Sequence, residues 1–408
     1  MKARLHHSPL NLAVFVAGLG FFVDAFDLFL FNIYRIPSLK DLGLSGKDLT
    51  SYGENLLAIQ MAGMMIGGIV TGMIGDKKGR VSVLFGSILL YSVSNMANAF
   101  VYDIQSYAVV RFFAGLGLAG ELGAGIALVS ESMSIENRGY GTIMVATLGA
   151  IGAVTAGLIG NIIPWRMAFL GAGILGLLLL FLRMKTMETD MFQKTIQNPI
   201  VKKGSFSLLF SSRSRTIKYL ACILMGVPIW YSVGLLITLS PEIASLYHIE
   251  GLQLGTCFIL FQVGITLGDL SSGMLSQLLK TRKKIIFAYM LFAIAATVLH
   301  FLMISRSKDL YITSLLMGTG CGYLSVYVTA TAEHFGTNLR VLVSATVTNF
   351  MRGAVTILVP LHVWMEKTWQ LNLVESLSLT GMLVWLLALA SVMLLPETYG
   401  KNLEYTEK

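Results

Sequence analysis

Apolar runs long enough to cross a bilayer recur along the whole chain, and they restrict its possible folds more than any other feature. A membrane-spanning helix needs about 20 apolar residues and satisfies every backbone amide internally. A window of about 19 residues finds twelve such runs. Six lie near 10–34, 52–75, 81–100, 105–131, 139–163 and 167–184, and six near 217–240, 252–279, 285–304, 310–334, 341–363 and 375–395. Only 13% of the 408 residues are charged and mean hydropathy is +0.72, whereas soluble domains carry about 25% charged residues. Strand signals are absent. The expected fold is an all-α membrane protein with twelve transmembrane helices.

The opening, MKARLHHSPLNLAVFVAGLG, has the basic start and apolar run of a signal peptide. The run continues through Asp24 and Asp27 without an A-x-A site, so it reads as a retained first helix. The longest polar stretch separates the two sets of six. The expected organisation is a six-helix bundle over 1–184, a cytoplasmic linker over 185–216, and a second bundle with a short cytoplasmic tail over 217–408.

Orientation follows from the basic residues. With the N-terminus inside, 21 of the 30 Lys and Arg fall in cytoplasmic segments and seven in outer loops, including Arg35. Both termini are expected in the cytoplasm. The net charge of +8 is then a topological bias and not a nucleic-acid footprint. Cys222, Cys257 and Cys321 all sit in apolar runs and read as small buried hydrophobes.

The two sets repeat at an offset of 201 to 202 residues. GAVT at 152–155 returns at 353–356, Glu131 and Arg138 return as Glu333 and Arg340, and Gly72-x-x-x-Asp76 returns as Gly273-x-x-x-Gln277. Six helices followed by six in the same orientation form a parallel repeat, with the substrate site expected near the midplane between the halves.

GMIGDKKGR at 72–80 fits the G-x-x-x-D-[RK]-x-G-R pattern of the loop after the second helix in the major facilitator superfamily. RFFAGLGLAGE at 111–121, Trp165-Arg166 and the tail LPETYGKNLEY add to it. The chain thus resembles that superfamily over nearly its whole length, departing at Val81, where members often carry Lys or Arg. AGLGFFVDAFDLFLFN resembles the first helix of phosphate:proton symporters. GELGAGIALVSES resembles the fourth helix of acid-metabolite and sialate-type proton symporters. Leu148 in place of the phosphate branch's Gln, and a seventh helix without an acidic residue, demote phosphate.

Asp24 and Asp27 lie three residues apart and share a helix face. A carboxylate at the middle of a membrane helix costs about 2.5–3.5 kcal/mol, so such groups are functional candidates. The resemblance implies that Asp27 pairs with Arg111 and that protonating Asp27 releases it. Asp24 is either a second proton site or cavity lining, and Arg111 alternatively snorkels from a helix end. Arg352, half-way along the eleventh helix beside Asn349, needs an anion: either the substrate or Asp269 of the eighth helix. Glu121 is expected to face the cavity, with Trp230, Tyr231 and Tyr323 as further lining candidates. His300 and His362 read as interfacial. The resemblance makes Gly72, Asp76, Gly79, Arg80, Glu131, Arg138, Glu333 and Arg340 an inner gate, whose charge pairs break on opening.

The six histidines form no HExxH, and no GxxxxGK[ST] occurs, so neither a zinc enzyme nor an ATP-driven pump is indicated. No cofactor or metal is called for. The expected function is secondary active transport by alternating access in a bacterial inner membrane. It is proton-coupled import of a small organic anion by a monomer; phosphate, a neutral sugar or proton-driven efflux are the alternatives.

Overall fold

The computed structural model describes residues 12–78, 80–132, 138–160, 162–183 and 206–400. No strand occurs among the described residues. In the first half each rod is one helix: α1 (Leu12–Asp41), α2 (Gly46–Lys78), α3 (Arg80–Asn98), α4 (Ile104–Ser132), α5 (Arg138–Ile159) and α6 (Trp165–Arg183). α1 and α2 outrun their apolar cores, because the helix continues into polar ends such as Lys40–Asp41 and Gly46–Asp48.

In the second half three rods are interrupted. The seventh is α7 (Arg213–Tyr231), a π-helical turn over Ser232–Ile237, and α8 (Ser240–Leu246). The eighth and ninth are α9 (Leu254–Leu278) and α10 (Lys283–Leu302). The tenth breaks at Gly322-Tyr323 into α11 (Ser307–Cys321) and α12 (Leu324–Glu333). The eleventh pauses at Ala354 between α13 (Thr337–Gly353) and α14 (Val355–Trp369), and the twelfth is α15 (Leu373–Leu394). Over the described residues, eight rods are long and apolar enough to cross a membrane. The broken tenth rod falls short in length, and α4 carries Arg111 and Glu121 within its apolar run.

The rods pack as two six-helix bundles related by the repeat. In the first, α1 lies on α5, α2 on α4, and α3 on α4 and α6. The second repeats this with the eighth rod on the tenth, the seventh on the eleventh and twelfth, and the ninth on the tenth and twelfth. Glycines show how close the equivalent contacts are. A Cβ on Gly63 would stand 2.2 Å from the Phe112 carbonyl oxygen, and one on Gly264 would stand 2.3 Å from that of Leu315. Gly115 meets the Gln60 carbonyl at 2.0 Å as Gly318 meets that of Phe261 at 2.1 Å. Helix backbones therefore touch at matching positions in both halves, the packing mode that small residues allow in lipid. The halves meet along α2 with α13 and α14, and along α5 with α9.

Candidate functional site

Asp24 and Asp27 are both fully buried on α1, on the face that the bundle turns inward. Asp24 meets Arg352 from the other half. Arg352 lies in the last turn of α13, just before the pause at Ala354. Its Nη1 and Nη2 each stand 3.3 Å from Asp24 Oδ2, and its guanidinium lies 5.5 Å from the centre of the Trp230 ring. Arg352 Nε and Asp24 Oδ1 are buried without a hydrogen bond. The alternative partner is engaged elsewhere: Asp269 accepts from the Ser325 backbone N–H at 2.8 Å. There it caps the start of α12, where the broken tenth rod exposes amides that need an acceptor.

Asn349, one turn before Arg352, also crosses between halves. Its Nδ2 donates to the Ala119 carbonyl of α4 and to Ala345, both at 2.9 Å, and its side chain lies against Gly68 of α2.

Asp27 and Arg111 share the buried interior but do not touch as an ion pair. Arg111 donates from Nη2 to Asn95 Oδ1 at 2.8 Å, and its guanidinium stacks 4.7 Å from the Phe169 ring centre and 5.2 Å from that of Phe31. Both Asp27 oxygens are buried without a hydrogen bond. Asn95 of α3, not singled out in the sequence, takes the guanidinium contact expected for the carboxylate. Its only signal was a polar residue within an apolar run. Glu121 is buried on α4.

The aromatic candidates divide. Trp230 faces Arg352, as above. The Tyr231 hydroxyl donates to the Leu377 carbonyl at 2.8 Å, and that of Tyr323 to Met225 at 3.0 Å. These two hydroxyls tie helices of the second half together. His300 and His362 are not interfacial but fully buried. His300 Nδ1 bonds Thr313 Oγ1 at 2.8 Å.

At the end where the described chain starts and stops, Glu333 approaches Arg282 at 3.6 Å, and a Cβ on Gly72 would come within 3.3 Å of Leu342. Gly79, and the side chains of Asp76, Arg80, Glu131, Arg138 and Arg340, lie outside the described residues. Glu397, in the tail motif, accepts from the Thr281 hydroxyl and from the backbone N–H groups of Arg282, Thr398 and Tyr399. Partial burial works against its charge, but these bonds outweigh it and hold the carboxyl down at about 2.

At the opposite, distal end the halves are joined by contacts the sequence did not reveal. Arg35 Nη2 reaches Glu242 at 2.6 Å and the Thr238 carbonyl at 3.0 Å. His362 lies 3.5 Å from Glu54 and 3.8 Å from Glu366. The Thr356 hydroxyl donates to the Ala58 carbonyl at 3.0 Å. Arg35 looked like an outer-loop charge only because its apolar run ends there; helix α1 carries it six residues short of its own end, inside the seam.

Two like bundles packed around buried charges define a multi-pass membrane fold built on an internal repeat. The chain belongs to the Major Facilitator Superfamily, whose family model matches residues 17–360. It is 24% identical over 341 residues to the sialic acid transporter NanX of Escherichia coli (strain K12), covering 81% of each chain. It is 26% identical over 346 residues to the gentisate transporter of Corynebacterium glutamicum, covering 81% of this chain and 76% of that one. To the putative niacin/nicotinamide transporter NiaP of Bacillus subtilis (strain 168) it is 29% identical over 182 residues, 44% of either chain. With that relative the chain thus shares less than half its length. The fold matches the crystal structure of a D-xylose-proton symporter with a TM-score of 0.72, over 97% of this chain and 100% of that one, at 17% identity. At that identity the match shows the fold alone, the one the superfamily membership leads one to expect.

Proposed function

We propose that the protein imports a small organic anion together with a proton, by alternating access. The carrying observation is the buried Asp24–Arg352 pair, which joins one half to the other through a single carboxylate oxygen. Asp24, Asp27 and Glu121 set three carboxyls against the two guanidinium groups of Arg111 and Arg352, all inside the protein. A net charge in a low-dielectric interior is costly, so an arriving anion is best accommodated with a proton on one carboxyl.

An anion would take Arg352 through its planar donor fork. Asp24, displaced, would take the proton, which reaches it through Asp27 one turn away. Losing the pair uncouples the halves at their centre and lets them rock, as a bistable interface does. NanX and the gentisate transporter, similar over most of the chain, carry organic acids by name, which fits a cation as the anchor.

In this reading the end with the termini is cytoplasmic, in a bacterial inner membrane, and the working unit is a monomer. The bundles are taken as 1–184 and 217–408, joined by 185–216. The test is uptake into proteoliposomes of nicotinate, gentisate, sialic acid, xylose and inorganic phosphate, with and without an inward proton gradient. Gradient-driven accumulation of one of the carboxylates is expected. Accumulation of xylose or phosphate alone would refute the organic-anion assignment.

A further inference from the structure

The distal seam holds a cation whose donors are only partly used. Arg35 is fully buried, two residues before Pro37 of α1. One nitrogen, Nη2, makes both of its contacts, to Glu242 and to the Thr238 carbonyl, and both partners belong to the other half. Nε and Nη1 are buried with no acceptor. Gly53 of α2 leaves the room for this arrangement, since a Cβ there would lie 2.7 Å from Nη1. Buried donors left unmade are unfavourable, so the closed seam leaves a guanidinium fork half empty.

When the halves part at this end, Glu242 and Thr238 leave with the second half and Arg35 stays with the first. A cation in a partly desolvated mouth then calls for an anion. We infer that Arg35 is a recruiting site for the substrate carboxylate. The carboxylate takes the guanidinium fork while the seam is open, and Glu242 displaces it as the seam closes. Arg35 lies eleven residues, about 16 Å of helix, from Asp24, so the displaced anion moves on toward Arg352. Glu242 is then both gate and competitor. The inference rests on the organic-anion reading above.

The test compares initial rates in right-side-out and inside-out membrane vesicles, with nicotinate, gentisate and sialic acid each as probe. A charge-assisted hydrogen bond lost from the recruiting step corresponds to about a tenfold or greater change. Arg35→Gln is expected to raise KM by about that factor from the outer face and to leave KM from the inner face within about twofold. Glu242→Gln removes the competitor and is expected to lower the outer-face KM. A structural role alone would move both faces together. Equal shifts on both faces, or none, overturn the inference. If Arg35→Gln fails to insert, Glu242→Gln decides: a lowered outer-face KM supports the site and an unchanged one overturns it. If the wild type carries none of the three probes, the organic-anion reading fails, and this inference with it. Wild-type uptake with an unaltered outer-face KM in both variants removes the inference alone.

Discussion

At the Asp24–Arg352 pair, two guanidinium nitrogens stand 3.3 Å from one oxygen, beyond the 2.7–2.9 Å usual for such bonds. A loose pair with spare donors suits a group that must exchange partners. Removing one member leaves the other buried and uncompensated, at about 3–5 kcal/mol. Asp24→Asn and Arg352→Gln are each expected to lower thermal stability by that order, while the double variant recovers most of it yet transports no anion. Melting curves of the purified protein with parallel uptake assays check this; a double variant no more stable than the singles would contradict it. The sequence showed which residues were improbable in lipid, and Asp24, Asp27, Arg111, Glu121 and Arg352 are all buried. It did not show who pairs with whom. Spacing puts Asp24 and Asp27 on one face, but only the packing of α13 against the first half selects Asp24 for Arg352, and only α3 supplies Asn95 to Arg111.

Among the elements, the apolar runs located every spanning rod but not the breaks in the seventh, tenth and eleventh. Hydropathy averaged over a window does not register a local change in the hydrogen-bond ladder, such as the π-helical turn at Ser232–Ile237. The repeat was legible in GAVT and in the Glu/Arg spacing, yet its physical basis lies in the glycines that let α2 touch α4 and the eighth rod touch the tenth. That contact gives a sharp contrast. Gly115→Ala would drive a Cβ into the Gln60 backbone, which cannot swing aside, whereas a Cβ on Gly86 of α3 meets nothing within 4 Å. Gly115→Ala is expected to destabilise by about 1–3 kcal/mol. Gly86→Ala is expected to be neutral or stabilising by up to about 1 kcal/mol, since Ala is the better helix former. Thermal melting of both variants in detergent measures the difference, and equal melting temperatures would contradict the packing argument.

For the whole molecule, two bundles meet along two seams, with the distal end joined by Arg35–Glu242 and Glu54–His362 and the centre by Asp24–Arg352. The number of rods, their division into halves and the family resemblance could all be read from the chain, because lipid imposes length and apolarity on every span. How the distal end is joined could not, because it depends on contacts more than 200 residues apart: 35 with 242, and 54 with 362. In the proposed cycle, loss of the central pair lets the halves rock and links an anion on Arg352 to a proton on a carboxyl of α1. The most direct measurement is therefore simultaneous recording of anion and proton entry into proteoliposomes, for the wild type and for Asp27→Asn. One proton is expected to enter with each monovalent anion in the wild type, and Asp27→Asn is expected to lose that proton flux. Anion accumulation by the wild type with no accompanying proton would contradict this coupling.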